Sequence, residues 1–359
     1  MGVKRLIKEN KILTHDKLRT ILLEKSALTL QRFREVATSE VKNEKMLTVL
    51  EDEKRFWKDS FRPALTSLSC EAVGGQPELA NDAGLMFTLI SSGFGIHDDI
   101  IDNSTSKHQR HTIYGLHGRD SALLVGDLLM FKGWSIISDM IKKQPNPKNI
   151  AKIIKIYGNL SIEVCEAEFE ETLCRKNLDI DVDYYLNMQW KAMAELEACS
   201  RIGALIGNGK KNEIEALAEF GRRLGIISRL KDDLEDCLNL RGDLHNRIEQ
   251  ESVPLPLLFA AKSSTKKYMA IKTIIGKRKL SPPDASKLVG ICFEPNVFEY
   301  IEDIAQKHER LGILNLKKIK HNPAIDVLFS MIRLSYSRVT ELCILSKIIH
   351  QSATNRACQ

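Results

Sequence analysis

Apolar residues along this 359-residue chain recur at helical spacing almost from end to end. In 1–45 they form a stripe in a charged background, at Leu18, Ile21, Leu22, Leu28 and Leu30. That pattern predicts amphipathic helices that pack on a neighbour or on the main domain. Further helical segments are read over Leu65–Val73, Ala80–Asp102, Asp120–Ile141, Ile150–Leu173, Val182–Asn208 and Glu213–Leu238. Residues 265–359 continue the pattern, with a weak interruption at Ser281-Pro282-Pro283. The breaks carry turn residues: Gly74-Gly75-Gln76-Pro77, Asn103–His111, Gln144-Pro145-Asn146-Pro147, Gly207–Lys211 and Arg241–Pro256. No segment alternates with period two over a Val-, Ile- and Thr-rich run. The expected fold is all-α, a bundle of about ten helices, with 1–45 as an N-terminal helical extension and 46–359 as the main domain.

Composition supports this reading. Gly and Pro together make up 30 residues, fewer than an average chain carries, and both interrupt helices. At 43% hydrophobic residues the chain can bury a sizeable core, which excludes global disorder. The net charge of +6 is spread out, and clusters such as Lys317, Lys318 and Lys320 read as solvated helix faces, so no nucleic-acid partner is expected. Met1–Asn10 has no apolar core of signal-peptide type, and no 18-residue uncharged apolar run occurs, so neither a secretory leader nor a transmembrane helix is expected. The eight cysteines are scattered without a C-x-x-C, as reduced thiols in a cytoplasmic protein would be, and a zinc site is not expected. Trp57, Trp134 and Trp190 read as core anchors.

The chemistry concentrates in two acidic sets. His97-Asp98-Asp99-Ile100-Ile101-Asp102 ends an apolar helix. Asp98 and Asp102 stack at i and i+4, with Asp99 about 100° round the helix. At about 4 Å and an effective dielectric near 20, each close pair of like charges costs about 4 kcal/mol. A hard divalent cation relieves that repulsion and bridges to phosphate oxygens. Asp232-Asp233-Leu234-Glu235-Asp236 repeats the arrangement at the end of a second apolar helix. Two such sets facing each other across a bundle would build a multi-metal diphosphate site.

These motifs resemble those of the trans-isoprenyl diphosphate synthases, whose two DDxxD motifs hold Mg²⁺ and an allylic diphosphate. Roughly residues 50–300 carry the likeness. Phe61-Arg62-Pro63 with Cys70-Glu71-Ala72-Val73-Gly74-Gly75 is similar to the family's LRP and EALGG elements. Thr112, Gly118, Gly126-Asp127-Leu128-Leu129, Lys191, Gly203-Ala204-Leu205, Gly225, Asp243-Leu244 and Pro254-Leu255-Pro256-Leu257 fall where other family motifs lie. The resemblance implies an isoprenoid-synthase bundle around a central cavity. It also implies Mg²⁺, about three ions with the diphosphate and Mn²⁺ as a substitute, bound by Asp98, Asp99, Asp102, Asp232, Asp233 and Asp236. Lys191 would add a donor to the departing diphosphate, and Arg62, Lys107, Arg110 and Arg229 would also bind diphosphate. Phe87, Ser91 and Phe94 would line a tunnel, with Phe94 limiting its depth to a farnesyl or geranylgeranyl chain. A helical homodimer is implied too.

The sequence departs from the family where a second substrate, isopentenyl diphosphate, would bind. Asp59 stands for a Lys, Ser60 for an Arg, Ser91 for a His, Lys107-His108 for an Arg pair, Ser228-Arg229 for Phe-Gln and Ala192 for a Thr, with Lys58 displaced by one position. Glu168 stands where the family has a pocket Gln. A charge reversal at Asp59 replaces attraction for a diphosphate by repulsion. The expectation is therefore ionisation of an allylic diphosphate without elongation, which is terpene synthase chemistry. The alternative is chain elongation with a basic pocket rebuilt from Lys58, Lys107, His108, Arg110 and Arg229. A third possibility is a non-catalytic subunit of a prenyl synthase.

Overall fold

The computed structural model describes residues 12–107, 110–143, 147–239, 244–277, 280–292 and 295–357. The readings made on Met1–Asn10, His108, Gln144-Pro145-Asn146, Arg241 to Asp243 and Cys358 lie outside the described residues. The chain divides into two compact units. The first comprises Met1–Leu160, Leu196–Gly221 and Leu314–Met331; the second comprises Ser161–Glu195, Arg222–Ile313 and Ile332–Gln359.

In the first unit α1 (His15–Val36), α2 (Glu44–Phe56), α3 (Phe61–Ala72) and a 3₁₀ turn (Pro77–Ala80) lead into α4 (Asn81–Ile101). Every residue of α4 from Asp82 to Gly93 is buried, as expected of a helix apolar all round. α4 ends at Asp102, after which Asn103 takes φ 49°, a left-handed conformation that Asn tolerates. A two-residue hairpin follows, β1 (Ser106–Lys107) against β2 (Arg110–His111). α5 (Ile113–Lys143) is kinked at Gly118, where φ is 76°. The segment beyond that kink is the Asp120–Ile141 helix read from the sequence.

α5 meets α4 through glycines. A Cβ on Gly93 would lie 2.6 Å from the Gly126 carbonyl oxygen, and one on Gly126 would lie 2.5 Å from the His97 ring. Hydrogen at both positions lets the helices close around the Asp98 end of α4. By length and hydropathy α5 also meets the measure of a membrane-crossing helix. Its packing on α4 accounts for part of that apolar run, of which 39% is buried.

The stretch 1–45 supplies α1, which packs on the main domain rather than standing apart. Lys25 pairs with Glu71 at 2.6 Å, Arg32 pairs with Asp82 at 2.5 Å, and Phe33 lies against Trp57.

α6 (Pro147–Leu173) contributes residues to each unit. In the second unit lie α7 (Val182–Ala192), the end of α9 (Lys211–Cys237), α10 (Leu244–Gln250), α11 (Leu255–Ser263), α12 (Thr265–Ile275), α13 (Pro282–Cys292), most of α14 (Pro295–Leu316) and the latter part of α15 (Pro323–Ala357). The Val182–Asn208 reading divides at Met193 into α7 and α8 (Ala194–Ile206). The Trp190 carbonyl, which a continuing helix would use internally, accepts from Arg222 Nη1 at 2.5 Å. Among the described residues there are fifteen α-helices rather than about ten. The difference arises mainly at 244–292, where Pro254, Ser264 and Pro282 start successive short helices.

Candidate active site

The first acidic set caps α4. Asp98 and Asp99 occupy its last turn, and the Asp102 backbone N–H donates to the Asp98 carbonyl at 2.9 Å. Carboxylates at a helix C-terminus face the negative end of its dipole, so the position calls for a cation. Lys107, presented by β1, supplies one. Its Nζ lies 2.6 Å from Asp98 Oδ2 and 2.9 Å from Asp99 Oδ1. Burial pushes the Asp99 carboxyl up, while Lys107 pulls it back. Burial alone would lower the Lys107 ammonium, but the two aspartates together raise it above its ordinary range. Asp102 is buried.

Around this end of α4, Phe94 is half-buried and Ser91 and Phe87 are buried. The Phe87 ring sits 5.5 Å from that of Tyr157, which in turn meets Trp134 edge-on at 5.2 Å. Phe87 and Trp134 thus belong to an aromatic core cluster. His97 Nε2 lies 3.3 Å from the Leu123 carbonyl oxygen and 3.4 Å from Asp127, fixing the end of α4 to α5.

Two of the candidate cations here behave differently. Arg62 Nη1 lies 2.8 Å from Asp59 Oδ2, and the other Asp59 oxygen accepts from the Phe61 N–H at 2.8 Å. Asp59 therefore caps the start of α3 and neutralises Arg62. Arg110 is exposed and lies over the Phe56 ring at 4.5 Å.

Glu53 was not among the sequence candidates. It falls on the buried face of α2 with Val49 and Leu50, and Ser92 Oγ donates to it at 2.7 Å. Burial raises its carboxyl to about 7. Its signal in the sequence was a charge at i+4 and i+3 from two apolar residues on one helical stripe.

The second acidic set ends α9 in the other unit. Asp233 is fully buried. Its Oδ2 accepts from the Tyr185 hydroxyl at 2.6 Å and from the Leu255 N–H at 3.2 Å, and its Oδ1 lies 3.5 Å from Arg247 Nη2. Arg247 Nε lies 3.5 Å from Asp236. Burial raises the Asp236 carboxyl to about 6. Asp232 is 45% exposed beside Lys231. Arg229 Nη2 lies 3.2 Å from Glu171, which also pairs with Arg247 and accepts from Ser252 Oγ at 2.5 Å. Although burial alone would push Glu171 up, Arg229 and Arg247 bring it down to about 2. Lys191 Nζ lies 2.6 Å from Glu170 and 3.5 Å from Glu166.

Tyr185, Glu171 and Arg247 were absent from the sequence candidates. Arg247 had a local cue as a cation in the last turn of a short helix, and Glu171 lay in a dense acidic run with Glu163, Glu166, Glu168 and Glu170, read as solvated or paired with Arg and Lys on neighbours.

Among the described residues no three carboxylate, histidine or cysteine side chains converge closely enough to hold an ion on their own. Mg²⁺ is commonly bound by one or two carboxylates with substrate phosphates and water completing its shell. Asp98 and Asp99 already bracket a cationic group, so that donor pair fits such an ion. Aspartate oxygens are hard donors of the kind such an ion takes.

The polyprenyl synthetase family profile matches residues 59–292. The chain is 25% identical to a short chain isoprenyl diphosphate synthase of Methanothermobacter thermautotrophicus over 324 residues, 86% of this chain and 94% of the relative. It is 28% identical to a geranylgeranyl diphosphate synthase of Sulfolobus acidocaldarius over 230 residues, 64% of this chain and 66% of that one. In fold it is similar to a geranylgeranyl pyrophosphate synthetase from Pyrococcus horikoshii, with TM-score 0.79 and 21% identity over 90% of this chain and 98% of the other. The matched region takes in both aspartate sets and the all-helical fold agrees along nearly the whole chain, so the protein belongs to the polyprenyl synthetase family.

Proposed function

We propose that this chain is a Mg²⁺-dependent prenyltransferase that joins isopentenyl diphosphate to an allylic diphosphate of farnesyl or geranylgeranyl size. The observation that carries the reading is the pair Asp98 and Asp99 closing on a single cationic group at 2.6 and 2.9 Å. When bound, Mg²⁺ supplies positive charge against the diphosphate as the allylic C–O bond breaks. Asp98, Asp99 and Asp102 of the first set and Asp232 and Asp236 of the second would be the carboxylates that hold such ions. Lys107 and Lys191 donate to diphosphate oxygens once their carboxylate partners are engaged elsewhere, whereas Arg229 stays paired with Glu171 and the buried Asp233. The apolar face of α4 keeps water from the allylic cation, with Phe94, four residues before Asp98, limiting chain length.

The names of the relatives, synthases that lengthen prenyl diphosphates, support elongation over the terpene synthase chemistry expected from Asp59, Ser60 and Ser91. The charge reversal at Asp59 is also offset locally, because its carboxylate meets Arg62 and the Phe61 N–H. One observation favours the terpene reading. Arg62, the family cation kept in register, is occupied by Asp59.

Incubating the purified chain with Mg²⁺ and farnesyl diphosphate, with and without isopentenyl diphosphate, separates the two. Elongation predicts a longer prenyl diphosphate only when isopentenyl diphosphate is present. A hydrocarbon or alcohol formed without it would replace elongation by the terpene reading.

The proposal includes a homodimer through α5. Leu124 and Phe131 on that helix are 56% and 69% exposed, apolar area that a second copy would cover. Light scattering is expected to give the dimer mass for the wild type and the monomer mass for Phe131→Glu.

A further inference from the structure

We propose that α12 docks the protein on an anionic lipid surface, lying among the headgroups with Lys266 and Lys272 against phosphate and Met269 between them.

Ser264 starts α12 by accepting from the Lys267 N–H at 3.2 Å, and Ile271, Ile274 and Ile275 bury its inner face. The opposite face is exposed at Lys266, Met269, Lys272 and Thr273. Lys266 and Lys272 stand three residues to either side of Met269, so they are its neighbours on the helix surface. Met269 is 56% exposed. An apolar side chain between two long cations suits an interfacial helix. The thioether enters the acyl boundary, and the ammonium groups stay at headgroup level on their apolar stems.

The surrounding charge favours a negative partner. From Ser252 to Pro283 the sequence has no carboxylate. The described residues of that stretch carry five lysines, Lys262, Lys266, Lys267, Lys272 and Lys277, where the whole chain has a net charge of +6. Lys262 donates to the Asp179 carbonyl at 3.2 Å and Lys272 to the Tyr268 hydroxyl at 3.1 Å, and neither acceptor is charged. Acids from outside the stretch hold part of the charge. Asp284 pairs with Lys277 at 2.6 Å, and the Asp179 carboxylate accepts from the Tyr268 hydroxyl at 2.7 Å. A polybasic segment of this kind is drawn to acidic headgroups. A nucleic-acid duplex offers the same charge but no apolar layer for Met269, so lipid is the partner that fits both features.

Docking through α12 is independent of the reaction proposed above. It would also bring the second unit's aspartate set close to the lipid. The Leu255 N–H that meets Asp233 is the first of α11, and that nine-residue helix rises about 14 Å to α12.

The test is sedimentation of the full chain with vesicles of phosphatidylcholine, alone or mixed with phosphatidylserine. The wild type is expected to sediment with the mixed vesicles only, and to be released at about 1 M salt, where charges are screened beyond about 3 Å. Lys266→Gln combined with Lys272→Gln is expected to weaken binding about tenfold. Met269→Glu, which sets a carboxylate against the lipid, is expected to weaken it by about as much. Lys317→Gln combined with Lys318→Gln removes two exposed lysines elsewhere and is expected to leave binding unchanged. Melting temperatures check that each variant is folded, and should the Lys266 and Lys272 variant melt below wild type, Met269→Glu decides. Equal losses from the two lysine pairs would mean attraction to the whole surface and overturn the assignment to α12. So would wild-type binding by Met269→Glu, equal sedimentation with both kinds of vesicle, or none with either. Capture by a labelled DNA duplex without capture by vesicles would make the patch a nucleic-acid site and overturn the lipid assignment.

Discussion

Ser92 Oγ donates a 2.7 Å hydrogen bond to the carboxyl group of Glu53, which is buried between α2 and α4. The bond favours the charged form of Glu53, yet burial outweighs it and the carboxyl titrates at about 7.

This raised value ties stability to pH. In the unfolded chain Glu53 loses its proton near 4.5, and in the folded chain near 7. The folded state therefore binds more protons between those values. Its contribution is fully present below about 4.5 and is lost as pH rises through about 7, a swing of about 3 kcal/mol. Melting temperature followed from pH 5 to 8.5 is expected to fall, and Glu53→Gln to flatten that fall and melt higher than wild type at pH 8.5. A Gln variant with the wild-type slope would assign the pH dependence to another group.

Lys107 lies against Asp98 and Asp99, so on the proposed reading it competes with the metal for them. Lys107→Met removes the ammonium that lies between the two carboxylates. The metal-free protein is then expected to melt lower, and Mn²⁺ alone to bind about tenfold tighter, because no ammonium has to be displaced. With pyrophosphate present the sign reverses, since Lys107 also donates to the diphosphate. Calorimetric titration in both conditions checks the pair of signs. Weaker binding in both would make Lys107 a simple diphosphate donor.

Asp59 pairs with Arg62 at 2.8 Å, so its carboxylate competes with any anionic ligand for that guanidinium. Asp59→Asn keeps an acceptor for the Phe61 N–H and removes the competing charge. Losing that competition is expected to lower KM for isopentenyl diphosphate about tenfold with little change in kcat. An unchanged KM would place Arg62 outside the second-substrate site.

Much of the fold was legible because helical periodicity is local. α4, α6 and the end of α9 fall within a few residues of where the apolar spacing puts them. The division at Met193 was not legible, because it depends on Arg222, 32 residues away, taking the Trp190 carbonyl. The aspartate sets were equally plain, since i and i+4 spacing on one helix needs no tertiary information. Glu53 was missed although it breaks an apolar stripe, and Tyr185 was missed because a tyrosine within a helical pattern reads as ordinary core.

The order of residues along the chain is enough to establish that this protein is helical, that two helices end in clustered carboxylates, and that the motifs around them resemble those of one enzyme family. Those properties follow from spacing along a helix. Which charged groups are engaged follows from how the helices pack. Tyr185 reaches Asp233 across 48 residues, Ser92 reaches Glu53 across 39, and Arg229 reaches Glu171 across 58. Such pairings depend on which helix faces meet and at what rotation. Desolvation at those contacts then sets whether a carboxylate stays open to a metal, is locked by a phenol and an arginine, or holds its proton near neutral pH.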